Sequence, residues 1–431
     1  MHKGFEAPTS RTIVQRLILK SQILIQSGSM RSQVLIHWGI SSFYGWGVYG
    51  LNLALNWSLD PDLEPVCSLP LRLSEISLDP LKKNILNHFF SESASFESRL
   101  RDHLKLNSEA RIDVPLLVGL GNDFNRSTTA CGKSIHGTPT IGITFFEDPN
   151  ISPDAIDRAR EFPLIVTGST WNEHVLRGYG LEAVVTVLQG IDPTLFHVAP
   201  RSGLFNDRFM MFSGGKLEFR KGQDLVLEAA SEFTRRHSDA VLVTAWHSPW
   251  PQAALSMGSK SRFGPVPLNE NGRLDTVGWA RNAGVPEGQY LDLGSVPNSQ
   301  LPPILREMDV GIFPNRGEGG TNLVAMECMA CGMPVILSAN TGHLDLIQEG
   351  VCYPLIQQSP VHRMHNPGQV LTGWGESSVP EIIENLERIY CERKTAKATG
   401  LRGAEMAGQM SWQSTAGALK TLVMNQISRV N

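Results

Sequence analysis

Asp309-Val310-Gly311-Ile312-Phe313-Pro314-Asn315-Arg316-Gly317-Glu318-Gly319-Gly320-Thr321-Asn322-Leu323-Val324-Ala325-Met326-Glu327-Cys328-Met329-Ala330-Cys331-Gly332-Met333-Pro334-Val335-Ile336 is the stretch that decides the fold class. An apolar run ends at Pro314 and a loop with three glycines follows. Thr321 or Asn322 can then cap a helix that stops at Gly332, before a second apolar run. Strand, loop, helix and strand in that order are the unit of a parallel sheet covered by helices. The free N–H groups of such a helix start attract an anion, which makes the backbone of Gly319, Gly320, Thr321 and Asn322 a candidate anion site.

The same unit recurs upstream at Phe212-Ser213-Gly214-Gly215-Lys216-Leu217-Glu218-Phe219-Arg220-Lys221-Gly222-Gln223-Asp224. Gly214 and Gly215 let the backbone approach a phosphate, and Lys216 and Lys221 can both reach one diphosphate. Glu318 in the first loop can meet a sugar beside that phosphate, and Glu327 further along its helix can accept from a ribose hydroxyl.

Extended along the chain, the pattern appears twice. One series has strands at 33–38, 65–69, 114–118, 141–145, 163–167 and 184–188. The other has strands at 208–213, 240–245, 289–292, 308–313 and 334–338, with helices at 222–236, 300–307 and 321–331. Turn residues between Gly190 and Gly203 separate them. The expectation is an α/β chain of two Rossmann-like domains facing a cleft: 30–195, joined by a helix over 411–431 that crosses back to it, and 196–410. The 431 residues carry a net charge of −4 and 41% hydrophobic residues, which excludes a basic nucleic-acid binder and intrinsic disorder. No apolar run reaches the roughly 18 residues a bilayer span needs. The six cysteines follow no disulfide pattern, and Cys328 and Cys331 lack a second pair to complete a zinc site, so a reducing cytoplasm is expected.

The two Gly-rich loops together resemble the retaining nucleotide-sugar glycosyltransferases of the GT-B fold, family 4, over about residues 33–428. The family has Glu, seven residues, Glu, and a helix running into Ala-Cys-Gly-x-Pro-Val; here Glu318 and Glu327 enclose eight. It also has Gly-Arg/Lys-Leu followed by Lys-Gly, matched at Gly215-Lys216-Leu217 and Lys221-Gly222. The resemblance implies transfer of a sugar from a nucleoside-diphosphate sugar to an acceptor hydroxyl, with retention of configuration and no metal or other cofactor. Catalytic roles fall on Lys216, Lys221 and Glu318, and donor binding on Gly214, Gly215, Gly319, Gly320, Thr321, Asn322 and Glu327. The acceptor class stays open among glycan, lipid-linked sugar and protein. A silent nucleotide-sugar-binding protein and a GT-B epimerase are the alternatives.

In the first half, Gly39 to Gly50 contains G-x-G-x-x-G at Gly45, Gly47 and Gly50. It falls too far past the strand for a dinucleotide site, and the next strand lacks the acidic residue that holds a ribose. The resemblance makes it a loop over donor phosphates and acceptor, with Gly45, Trp46 and Gly47 on the acceptor side and Trp46 able to stack on a sugar ring. Glu147 stands where many relatives carry a histidine near the donor sugar, and is a candidate on the same side; Asp148 is a candidate cap. His37 and His343 follow strands and are candidates for donor contact, whereas His362 and His365 read as solvated in a polar loop. Asp60 and Asp62 have metal-pair spacing but sit in a Pro-containing turn. Residues 1–29 read as a leader, either a flexible tail or a basic amphipathic helix resting on a membrane surface.

Overall fold

The computed structural model describes residues 22–23, 31–125, 129–247, 249–258, 261–363 and 366–430. The first apolar series closes into a six-stranded sheet, and the five strands of the second are joined by a sixth, Tyr353–Leu355, that was not expected; in both sheets every neighbouring pair is parallel. In spatial order the first sheet is Leu63–Cys67, Ser32–His37, Leu116–Leu120, Thr140–Thr144, Ile165–Thr167 and Val184–Thr186. The second is Tyr290–Asp292, Ala240–Ala245, Phe209–Gly214, Val310–Phe313, Val335–Ser338 and Tyr353–Leu355. Apart from the edge strands Tyr290–Asp292 and Val184–Thr186, these strands are buried almost throughout, as a sheet covered on both faces requires.

Strand order fixes where a ligand can sit. In the second sheet the chain reverses direction between Phe209–Gly214 and Val310–Phe313, and in the first between Ser32–His37 and Leu116–Leu120. The crevice beyond the carboxyl ends at such a reversal is the binding place of open α/β sheets. Both Gly-rich loops of the second domain leave its reversal point.

The last helix, Trp412–Val430, packs on the first domain. Trp57 Nε1 donates to Ala416 O at 3.1 Å, and Trp412 is buried edge-on to Tyr49. Lys420 Nζ reaches Asp60 Oδ1 at 2.8 Å and Asp62 Oδ2 at 2.6 Å, so the carboxylates with metal-pair spacing fasten this helix.

Several expectations are corrected. Gly45–Ser58 is a helix, not a loop. Its glycines lower helix propensity, but a Cβ on Gly47 would lie 2.6 Å from the Ser41 nitrogen, so close packing against the preceding turn selects glycine there. The polar loop expected around His362 is instead part of an antiparallel hairpin, Gln358–Arg363 with Asn366–Ser377; His365 lies outside the described residues. The stretch before Ile112 holds helices Pro80–Ile85 and Asn87–Leu106 and a strand, Glu109–Ile112. That strand pairs in parallel with Gln22–Ile23, where a tail or membrane helix was expected; the rest of the leader lies outside the described residues. No helix among the described residues is long and apolar enough to cross a membrane.

Candidate active site

The two reversal points face one another across a cavity of about 440 Å³. The first domain lines it with Tyr44, Gly45, Trp46, Asn122, Phe145, Glu147 and Gln189. The second contributes Gly214, Gly215, Lys216, Arg220, Lys221, Glu318, Gly320, Asn322 and Glu327. Most sequence-predicted residues therefore meet in one place. Gly47, Gly319 and Thr321 are not among the lining residues. Gly47 packs behind the wall on Ser41. A Cβ on Gly319 would collide with the carbonyls of Phe145 and Phe146, and Gly319 O accepts from Ser169 Oγ at 2.8 Å, so this residue is where the second domain's loop presses on the first. Thr321 is fully buried, its hydroxyl 3.0 Å from Met326 Sδ.

Arg316 explains why the two loops of the second domain meet. It is buried and bonds both oxygens of Asp224 at 2.8 and 2.9 Å, Glu376 Oε2 at 2.8 Å and Phe219 O at 2.8 Å. One side chain thus ties the lysine loop, the glutamate loop and the hairpin together. Asn322, with a left-handed φ of 64°, is the helix cap, accepting from the Ala325 nitrogen. That bond fixes its amide, so its Nδ2 faces His343 Nε2 at 3.0 Å and the imidazole accepts there. His343 Nδ1 then carries the proton, directed at Ser338 Oγ at 3.0 Å. Burial pushes this histidine down to about 4 and keeps it neutral. His343 holds the cap from behind, and His37, buried and 2.7 Å from Ser68 Oγ, is likewise in the core; neither lines the cavity.

The ionisable groups form an alternating chain. Lys216 Nζ lies 2.9 Å from Glu218; Arg220 donates to Glu318 Oε1 at 3.1 Å and lies 2.6 Å from Glu218 Oε1 as an ion pair without hydrogen-bond geometry; and Lys221 closes on the other oxygen of Glu318, which Asn315 Nδ2 also reaches at 2.7 Å. Burial works against the charge of Glu318, but the Lys221 ammonium and the Arg220 guanidinium outweigh it and hold the carboxyl at about 2. From the first domain, Glu147 Oε1 lies 2.8 Å from Arg220 Nη2. Burial pushes the Glu147 carboxyl up, with Arg220 opposing. Asp148 does not cap the next helix, whose cap is Ser152, but its Oδ1 accepts from the Asn150 nitrogen at 2.9 Å in the turn before it, and it pairs with Arg363 of the hairpin.

Glu327 is buried, and Asn298 Nδ2 donates to its Oε1. Burial pushes its carboxyl up to about 8, with only that amide opposing. Trp46 lines the cavity but meets Phe145 edge-on at 4.7 Å and Trp38 at 5.4 Å, so part of its surface is taken by aromatic neighbours. Arg220, Asn298 and Asn315 were missed: Arg220 and Asn315 lie inside the two quoted stretches and Asn298 outside them, but only the fold shows that their side chains turn to the carboxylates.

Cations and paired carboxylates at a strand-order reversal suit a diphosphate joined to a sugar. The sequence comparison agrees for this half. Residues 198–364 match the family Glycosyl transferases group 1. That group 1 region contains both Gly-rich loops. The chain is 27% identical over 190 residues, 42% of its length, to a D-inositol 3-phosphate glycosyltransferase 1 from Catenulispora acidiphila, covering 41% of that protein. It is 24% identical over 253 residues, 55% of its length, to a D-inositol 3-phosphate glycosyltransferase from Thermobifida fusca, covering 48% of it. The matches thus span less than half the length of these relatives. Among solved structures, sucrose-phosphate synthase from Thermosynechococcus elongatus superposes with a TM-score of 0.60 at 14% identity, covering 93% of this chain and 100% of that one. Anabaena HepE in complex with UDP and glucose gives 0.58 at 12%, covering 92% and 100%. The fold beyond the group 1 region is therefore also the two-domain GT-B arrangement.

Proposed function

We propose that the protein is a glycosyltransferase of the hexosyltransferase type that moves a sugar from a nucleoside-diphosphate sugar to an acceptor hydroxyl, with retention of configuration and without a metal. The observation that carries this reading is the meeting of Lys216, Lys221, Glu318 and Glu327 in one interdomain cavity. Lys216 and Lys221 neutralise the departing diphosphate, which is electrostatic stabilisation of developing charge. Glu318 orients the sugar and Glu327 the ribose. Lys221 and Glu318 are paired in the structure, so an arriving diphosphate draws the ammonium off one carboxylate oxygen and frees it for a sugar hydroxyl. We place the domain boundary between 195 and 196, with acceptor binding in 30–195 beside Trp46 and Glu147, and a cytoplasmic location. Domain closure excludes water that would otherwise hydrolyse the donor.

The test is incubation of the full chain with nucleotide sugars in EDTA, following the first-formed sugar product by proton NMR. The reading expects the donor's anomeric configuration in that product at an undiminished rate in chelator. An inverted anomer, or activity abolished by EDTA and restored by a divalent ion, contradicts it.

A further inference from the structure

Arg220 has no part in the roles above, yet its guanidinium is the centre of the charged chain. Nη1 lies 3.1 Å from Glu318 Oε1; Nη2 lies 2.6 Å from Glu218 Oε1 and 2.8 Å from Glu147 Oε1. Two of these carboxylates belong to the second domain and the third to the first. The second domain alone sets Lys216, Arg220 and Lys221 against Glu218 and Glu318, and the first domain adds Glu147.

Glu147 is not a loose contact. Its N–H donates to Asn122 Oδ1 at 3.3 Å and its carbonyl accepts from Trp374 Nε1 at 2.8 Å, while the next residue, Asp148, pairs with Arg363. The hairpin of the second domain therefore grips the segment that presents Glu147 to Arg220. If the diphosphate takes Lys221, Glu318 retains Asn315 on one oxygen and Arg220 on the other. A lysine is a point charge on a flexible stem, whereas the arginine fork is planar and fixes direction.

We infer that Arg220 is the positioning residue that keeps Glu318 aimed at the sugar once Lys221 has moved to the diphosphate, and that Glu147 of the first domain acts through it by completing its pairing. The inference rests on the donor reading above. It separates binding from transfer: the diphosphate is held by the lysines, and the arginine acts when the sugar is in place.

The experiment measures two quantities on the full chain: the calorimetric Kd of UDP, GDP and ADP, and kcat for nucleotide release from the matching sugar donor. Arg220→Met is expected to lower kcat about 100-fold while nucleotide Kd moves less than about three-fold. Glu147→Gln is expected to lower kcat about 10-fold, and the double variant to be no slower than Arg220→Met, since the two side chains act as one unit. Arg220→Lys, which keeps the charge and loses the fork, recovers only part of kcat, and it carries the same test if the methionine variant does not fold. A parent that turns over donor while Arg220→Met or Arg220→Lys keeps its kcat overturns the inference alone. So does a Kd that rises as much as kcat falls, which would make Arg220 a phosphate ligand. A parent that binds no nucleotide overturns the donor reading and this inference with it.

Discussion

Replacing Lys221 with methionine keeps most of the side chain's apolar stem and removes its ammonium. The residue is 11% exposed and its partner Glu318 8%, so a nearly buried carboxylate loses one of its counter-charges. Stripping one member from a buried pair costs about 3–5 kcal/mol when the other is left alone. Here Arg220 at 3.1 Å and Asn315 at 2.7 Å remain on Glu318, which brings the expected loss of stability to about 2 kcal/mol. Losing a preorganised donor aimed at developing charge lowers kcat by about 100- to 1,000-fold, or about 3–4 kcal/mol. The two effects are close in size, so activity alone would not separate them. Lys221→Met/Glu318→Gln does, because the amide removes the stranded charge. Urea denaturation should show most of the lost stability restored in the double variant, while nucleotide release at saturating donor stays depressed, as loss of both the lysine and the sugar-orienting carboxylate requires. Parent kcat in Lys221→Met, or recovery of kcat together with stability in the double variant, would show that the lysine acts only in folding.

Other outcomes follow from single contacts. Glu327 ionises near 4.5 when unfolded and at about 8 when folded, so between those values only the folded chain keeps the proton. Its contribution to stability therefore falls as pH rises through that window and levels off above it. Glu327→Gln should accordingly gain in melting temperature on the parent between pH 5 and pH 8.5, and a constant difference would place the proton elsewhere. Arg316→Met strands the fully buried Asp224 and should cost about 3–5 kcal/mol in urea denaturation. Gly47→Ala should cost about 1–3 kcal/mol by overpacking on Ser41, whereas Gly45→Ala, with 3.9 Å to Leu323 Cδ1, should be close to neutral. Equal effects at the two glycines would contradict the helix start found here.

How far the sequence could be read depended on how local each signal is. Strand–loop–helix units with apolar strands showed both sheets, because burial on both faces leaves a continuous apolar run such as Val34–Ile36 or Val335–Leu337. The lysine and glutamate loops were legible because glycine, cap and charge fall within a dozen residues. The helix at Gly45–Ser58 was not, because its glycines answer to Ser41 and Trp38 across a turn and local propensity argues against them. The hairpin at 358–377 hid in a polar stretch whose inward contacts, Glu376 on Arg316 and Trp374 on Glu147, are with distant segments. Arg220 stood in plain view between two motif residues, but what it does depends on Glu147, 73 positions earlier in the chain.

A cavity between the domains that splits a nucleoside-diphosphate sugar must release the nucleotide. The most direct measurement is release of nucleoside diphosphate from a panel of UDP-, GDP- and ADP-sugars by the purified full chain, with Lys221→Met alongside. Time-dependent release from at least one donor is expected, slowed at least about 100-fold in the variant. No release from any donor, or equal release by parent and variant, would contradict it.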